Sequence, residues 1–203
     1  KKIGVRIHGV AIESADLHSI LDAFAPYFEK GQITYEAFVD GVAYGGREYV
    51  EHPEAFGVPE RNVAYVQSTR KPVDDIIAFL SEHEEELDSL DIVAADTALY
   101  QKIEEQIPLV TKSVYTTSAV SYRLEISHKN SGKATGLAYV LKLLDITPEE
   151  TVAFGDGDND AEMLEFAGLG VAMENATENC KAAADIVCDC CKNDGVARFL
   201  YGF

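Results

Sequence analysis

Apolar residues recur along this chain with two alternating periods, and their order predicts helices interleaved with short strands. Leu17, Ile20, Leu21 and Phe24 fall on one face of a predicted helix that Ser14 can cap, with Pro26 predicting an early stop or kink. Two strand-like runs, 32–39 and 42–50, flank Asp40-Gly41, a two-residue hairpin signal. The stretch 72–87 reads as a helix that opens on Pro72 and turns Val73, Ile76, Ile77 and Leu80 inward. Its Glu82, Glu84, Glu85 and Glu86 form a solvated face.

Strands are predicted next at 91–95, 109–115 and 120–127, with a helix at 98–106. From residue 133 onward the alternation is regular: helix 133–145, strand 151–154, helix 160–167, strand 169–173, helix 176–184, strand 185–188 and helix 194–200. Such βα alternation predicts a parallel sheet covered on both faces. There is no internal repeat, low-complexity tract or long linker.

The chain's most informative run is Thr151 to Asp160, where an apolar strand stops at Asp156, Asp158, Asn159 and Asp160. Carboxylates packed this closely are tolerable at neutral pH only if solvated or gathered around a cation, and a hard divalent ion such as Mg2+ fits them. The strand-turn-helix context sets Asp156 and Asp160 at the carboxyl end of a strand, where open α/β sheets bind ligands. A solvated acidic turn is the competing reading. An EF-hand is excluded, because its obligatory glycine would fall on Ala161 and its glutamate on Ala167.

Lys133 stands just before a predicted helix carrying Leu137, Val140, Leu141 and Leu144 on one face. A cation there opposes the helix dipole and calls for a compensating anion; a plain exposed helix end is the alternative. The neighbouring residues are no Walker A loop, since Ser127 occupies the first glycine position and Ala134 follows the lysine.

Taken with Ala167–Met173, Asn175-Ala176, Ala183–Asp185 and Asp194–Val196, these two motifs make the run from about Glu125 to Phe203 resemble the carboxyl-terminal half of a haloacid dehalogenase superfamily phosphatase, of the Cof-like group with a type IIB α/β cap. Residues from about Ile12 to Arg123 resemble the cap more loosely. The implied fold is α/β: a partial Rossmann-like parallel-sheet core (124–203) plus a smaller α/β sandwich cap domain (1–123, with a residual linker at 1–11).

The resemblance makes Lys133 the residue that neutralises the phosphoryl group and the attacking carboxylate. It makes Asp156 a Mg2+ ligand, with Asp160 supporting the metal through water or through Lys133, Asn159 lying near the phosphate, and Asp158 a bystander. It also implies a small phosphorylated metabolite as substrate, with a sugar phosphate as the narrower candidate, hydrolysed through an aspartyl-phosphate.

The family's opening DxD nucleophile motif and the Ser/Thr motif after it are not found here. Asp40 is followed two positions on by Val42, and the Ser/Thr-like run 63–72 falls inside the cap region. The chain is therefore expected to be inactive alone, a fragment lacking the first part of the core; a non-catalytic module binding a phosphorylated ligand or a protein, and a receiver-like phosphoacceptor, are the alternatives.

Composition narrows the partners. The 203 residues carry 35 Asp and Glu against 17 Lys and Arg, which argues against nucleic acid and anionic membranes. No apolar stretch reaches the roughly twenty residues of a membrane span, and no signal peptide is visible, so a cytoplasmic location is expected. Cys180, Cys188, Cys190 and Cys191 lack zinc-site spacing and read as free thiols. The five histidines are scattered. Arg47, after Tyr44-Gly-Gly, is a candidate for meeting an anionic or polyol group on the cap surface, with an ion pair as the plainer role.

Overall fold

The structure, a computed structural model, describes residues 8–202. The chain divides into two compact units, Lys1–Lys129 and Asn130–Phe203. Of the expected linker at 1–11, residues 1–7 lie outside the described residues, and 8–11 have no regular structure.

The first unit opens with α1 (Ser14–Phe28), which buries Leu17, Ile20 and Phe24. Ser14 is its first helical residue and not its cap: Glu13 holds the extended cap position, and the Ser14 hydroxyl donates to Glu85 instead, at 3.0 Å. Pro26 is carried inside the last turn without ending the helix.

Strands β1 (Ile33–Val39) and β2 (Val42–Gly46) form the expected hairpin, with positive φ at both Asp40 and Gly41 as a two-residue turn of the mirror-image type requires. The strand predicted to reach Val50 stops at Gly46, because the chain turns there into α2 (Arg47–Glu51), which buries Tyr49 and Val50 against the sheet. A 3-10 turn at Pro53–Phe56 and α3 (Glu60–Thr69) follow.

Pro72 does not open a helix. It lies in β3 (Arg70–Val73), an edge strand, where a residue without an N–H is tolerated. Helix α4 (Ile76–Glu82) starts later, where the Asp75 side chain accepts from the N–H groups of Ile77 and Ala78. Next come β4 (Leu87–Ala94), α5 (Thr97–Val110), β5 (Val114–Val120) and β6 (Arg123–His128). Helix α5 runs through Pro108 because Ile103 and Ile107 remain in the core, which delays β5 beyond its predicted start.

The six strands are ordered β3-β2-β1-β4-β6-β5, antiparallel except where β2 meets β3. Helices α1, α4 and α5 bury one face with Tyr35, Leu90, Ile92, Leu124 and Ile126. The other face is covered in part by α2, the Pro53–Phe56 turn and α3, which pack on Val93 and Tyr122. Strand β6 pairs with both β4 and β5. Residues 124–129 therefore belong to the first unit, and the division falls at 129/130 where 123/124 was expected.

The second unit is a βα series: α6 (Lys133–Leu144), β7 (Val152–Gly155), α7 (Ala161–Phe166), β8 (Leu169–Met173), α8 (Glu178–Ala182), β9 (Ile186–Cys188) and α9 (Gly195–Tyr201). Its three strands are parallel in the order β7-β8-β9. Ala153, Leu164, Ala172, Met173, Ala176 and Cys180 form its core.

Candidate active site

The acidic run sits at the carboxyl end of β7, where a 3-10 turn at Asp158–Asp160 joins the strand to α7. Asp160 is buried beneath this turn, and its Oδ2 accepts hydrogen bonds from the backbone N–H groups of Asp156 (2.9 Å) and Gly157 (3.0 Å). Gly155 makes room for it: a Cβ there would come within 2.5 Å of the Asp160 Cβ.

Lys133, the first residue of α6, donates from Nζ to Asp160 Oδ1, and Asn159 Oδ1 stands 3.5 Å from the same ammonium. The anion that a lysine at a helix amino terminus calls for is thus Asp160. Burial acts to raise the Asp160 pKa, but the Lys133 ammonium and the two backbone donors outweigh it and hold the carboxyl below its ordinary value.

Asp156 is exposed, and among the described residues its carboxylate accepts no hydrogen bond; its backbone carbonyl accepts from Thr177 N at 3.0 Å. Asp158 Oδ1 accepts from Thr177 Oγ1 at 2.6 Å, and the same hydroxyl caps α8 by accepting from Cys180 N. Thr177 is thus the residue that sequence reasoning missed, although a threonine directly before a helical run is a recognisable cap. Asn175 Oδ1, at the end of β8, accepts from Cys191 N at 3.2 Å and anchors the cysteine loop.

All four cysteines are free thiols. Burial, reinforced by the three nearby aspartates, pushes the Cys180 thiol up, and burial does the same at Cys188, which leaves both weakly nucleophilic. Glu174, Asp189 and Cys190 bring ligand atoms within 4.8 Å of one another. The Asp189 carboxylate there is already held by Arg198 (3.0 Å), Asn193 (2.9 Å) and Cys190 N (2.8 Å).

The remaining histidine and arginine candidates lie in the first unit. His18, His52, His83 and His128 each lie beside a glutamate in the first unit. Arg47 begins α2 and pairs with Asp74 at 2.7 Å and Glu51 at 3.6 Å, the plainer of its two expected roles. A lysine bonded to a buried aspartate beside an exposed aspartate, at the carboxyl edge of parallel strands, is an arrangement able to hold a hard cation and an anionic oxygen side by side.

The sequence profile of the haloacid dehalogenase-like hydrolases matches residues 7–200. The chain belongs to that family. The solved HAD subclass IIB sugar phosphatase BT4131 shares the fold, with a TM-score of 0.66 at 20% identity over 95% of this chain and 68% of that one. Phosphatase YwpJ of Bacillus subtilis is 30% identical over 95% of this chain and 72% of its own length. A phosphoglycolate phosphatase from Methanopyrus kandleri is 50% identical over 80 residues, 39% of this chain and 34% of the relative. The phosphatase BT1666 of Bacteroides thetaiotaomicron superposes with a TM-score of 0.73 at 25% identity, over 98% of this chain and 68% of that one. The chain thus spans about a third of the Methanopyrus relative.

Proposed function

We propose that the protein containing this chain is a Mg2+-dependent phosphatase of small phosphorylated metabolites, with a sugar phosphate as the narrower substrate class, acting through an aspartyl-phosphate. The observation that carries this is the bonded group of Lys133, Asp160 and the acidic loop at the sheet's carboxyl edge. In this assignment the first unit is the cap and the second the carboxyl-terminal half of the core.

Each side chain has a physical task. The Lys133 ammonium neutralises equatorial phosphoryl oxygens, which in-line transfer requires. Asp160 aims that ammonium and fixes the loop through two backbone bonds, so it acts as a positioning residue with both oxygens already engaged. Asn159 offers its amide beside the phosphate. Asp156 presents an open carboxylate, the hard oxygen donor that Mg2+ prefers. When bound, the ion supplies Lewis-acid stabilisation of the charge developing on the phosphoryl group.

No DxD other than the one at 156–158 follows a strand in these 203 residues, so the nucleophile of the proposed step is not among them. That observation favours a second reading, in which the chain binds a phosphorylated ligand without turning it over. No helix of the described residues is long and apolar enough to cross a membrane. The four free thiols support a reducing compartment such as the cytoplasm.

Hydrolysis of p-nitrophenyl phosphate, with and without Mg2+, tests the proposal on this chain and on a form restored with its upstream coding sequence. The 203 residues alone should be silent, and the restored form should turn over substrate in a Mg2+-dependent way that Asp156→Asn abolishes. Silence in the restored form would favour the binding module. Stoichiometric labelling by a small phosphodonor without turnover would instead indicate a receiver-like phosphoacceptor.

A further inference from the structure

The phosphatase assignment gives Asp158 no task, yet the structure holds its side chain in place. Asp156, Asp158 and Asp160 stand within a single short run of chain. Like charges this close repel, and each calls for a partner or a cation. Asp160 has the Lys133 ammonium and two backbone N–H groups. Asp158 Oδ1 accepts from the Thr177 hydroxyl at 2.6 Å. The Asp156 side chain is left exposed.

Thr177 reaches the acidic loop from a separate element. Its neighbours Ala176 and Cys180 are buried in the second core, which fixes the turn between β8 and α8. In that turn the Thr177 hydroxyl accepts from Cys180 N at 3.3 Å and donates its one proton to Asp158. The Thr177 N–H donates to the Asp156 carbonyl at 3.0 Å. One residue thus ties down position 156 by its backbone and position 158 by its side chain.

Capping α8 uses only an acceptor lone pair of the threonine, so the bond to Asp158 is additional to the cap. A hydroxyl orients a carboxylate without neutralising it. Burial first, and then Asp160, Asp156 and Asp158 together, push up the Cys180 thiol, so the three carboxylates share one neighbourhood. Fixed by Thr177, Asp158 strengthens the negative field where the Mg2+ assignment places the ion, and does so from an unchanging position. Released, it would be free to compete with Asp160 for Lys133 or with Asp156 for the ion. Groups that orient the surroundings of a metal ligand set the affinity of the site.

We propose that Thr177 is a positioning residue of the cation site, holding Asp158 as a fixed outer charge and leaving the Asp156 carboxylate free for the ion. This role rests on the Mg2+ assignment of the acidic loop.

Mn2+, a hard ion with the same preference for oxygen donors, is the probe, titrated into the 203-residue chain while paramagnetic broadening of the Gly157 and Asn159 amides is followed. Both should broaden in the parent chain. Thr177→Val, which keeps the shape and loses the hydroxyl, should raise the Mn2+ concentration at half-broadening about tenfold, the low end of the cost of removing an outer partner of a metal ligand. Thr177→Ser should retain the parent's response. Asp158→Asn should also weaken the site, and adding Thr177→Val to it should change nothing more, because the hydroxyl acts through the Asp158 charge. Loss of the cap alone would cost the same with or without that charge, so simple additivity of the two changes overturns the positioning role. Unaltered Mn2+ binding in Thr177→Val overturns it as well. Unmoved amides of Val171 and Ala172 in β8 report that each variant keeps its second unit folded. Failure of the Mg2+ assignment looks different: the loop amides of the parent chain itself ignore Mn2+, and the role of Thr177 falls with it.

Discussion

At the scale of single residues, the acidic loop depends on the absence of a side chain as much as on the carboxylates. With a Cβ at residue 155 placed 2.5 Å from the Asp160 Cβ, Gly155→Ala must displace either the strand end or the aspartate. We expect it to destabilise the second unit by about 1–3 kcal/mol, the usual range for overpacking, as read from denaturant unfolding. The Asp160 carboxyl gives a pH signature of known sign. Its folded pKa lies below its unfolded one, so its ionised form stabilises the fold. That contribution is complete above the unfolded value of about 3.9 and is lost as pH falls through the folded value. Asp160→Asn should therefore lower the midpoint of the second unit's unfolding at pH 7 and shrink its acid dependence below about pH 4. An unchanged acid limb in the variant would show that other carboxylates carry it.

Elements of the second unit were legible in the sequence almost residue by residue, because each strand there is a short apolar run followed at once by an acidic residue, Asp156, Glu174 or Asp189. The first unit was read less well where local signals conflict. Pro72 carries a helix-start signal, yet the N–H groups of Ile77 and Ala78 are capped by Asp75, and Pro72 is left to an edge strand. Tyr49 and Val50 have strand character, but α2 buries them. Lys133 and Asp160 stood out as a cation at a predicted helix start and an acid in a dense acidic run, and Asn159 entered through the family resemblance, whereas the contact of Thr177 with Asp158, 19 residues away in sequence, is one that no local pattern encodes. Asp75→Ala should cost α4 about 1 kcal/mol of stability, the usual worth of such a cap, seen as a lower urea midpoint. At Asp91, burial foremost and the nearby Glu36 push the carboxyl well above its usual range. Stability thus declines as pH rises from the unfolded value through the folded one, and the penalty persists above it. Asp91→Asn, neutral at every pH, should match or exceed the parent's thermal midpoint at pH 7 and lose ground to it in acid. A clear destabilisation at pH 7 would mean that Asp91 is ionised and serves Arg123 as a counter-ion.

For the whole molecule, the two units differ in how completely they bury their own apolar surface. The first has clusters on both faces of its sheet and, among the described residues, leaves only Tyr65 and Leu109 as exposed large apolar side chains. The second has a small core and exposes Val140, Leu143 and Leu144 on α6, Val187 on β9, and Leu200 and Tyr201 on α9. A short unit with this much apolar area in water gains less from folding than a longer one with a filled interior. Since each cluster draws its members from one unit alone, two calorimetric transitions are expected for the chain, the second unit melting first. Leu164→Ala, in the second core, should depress the lower transition and leave the upper unmoved. Leu90→Ala, in the first, should do the reverse, each by the 2–5 kcal/mol typical of emptying a buried leucine site. A single transition displaced by either substitution would mean that the units fold as one cooperative body.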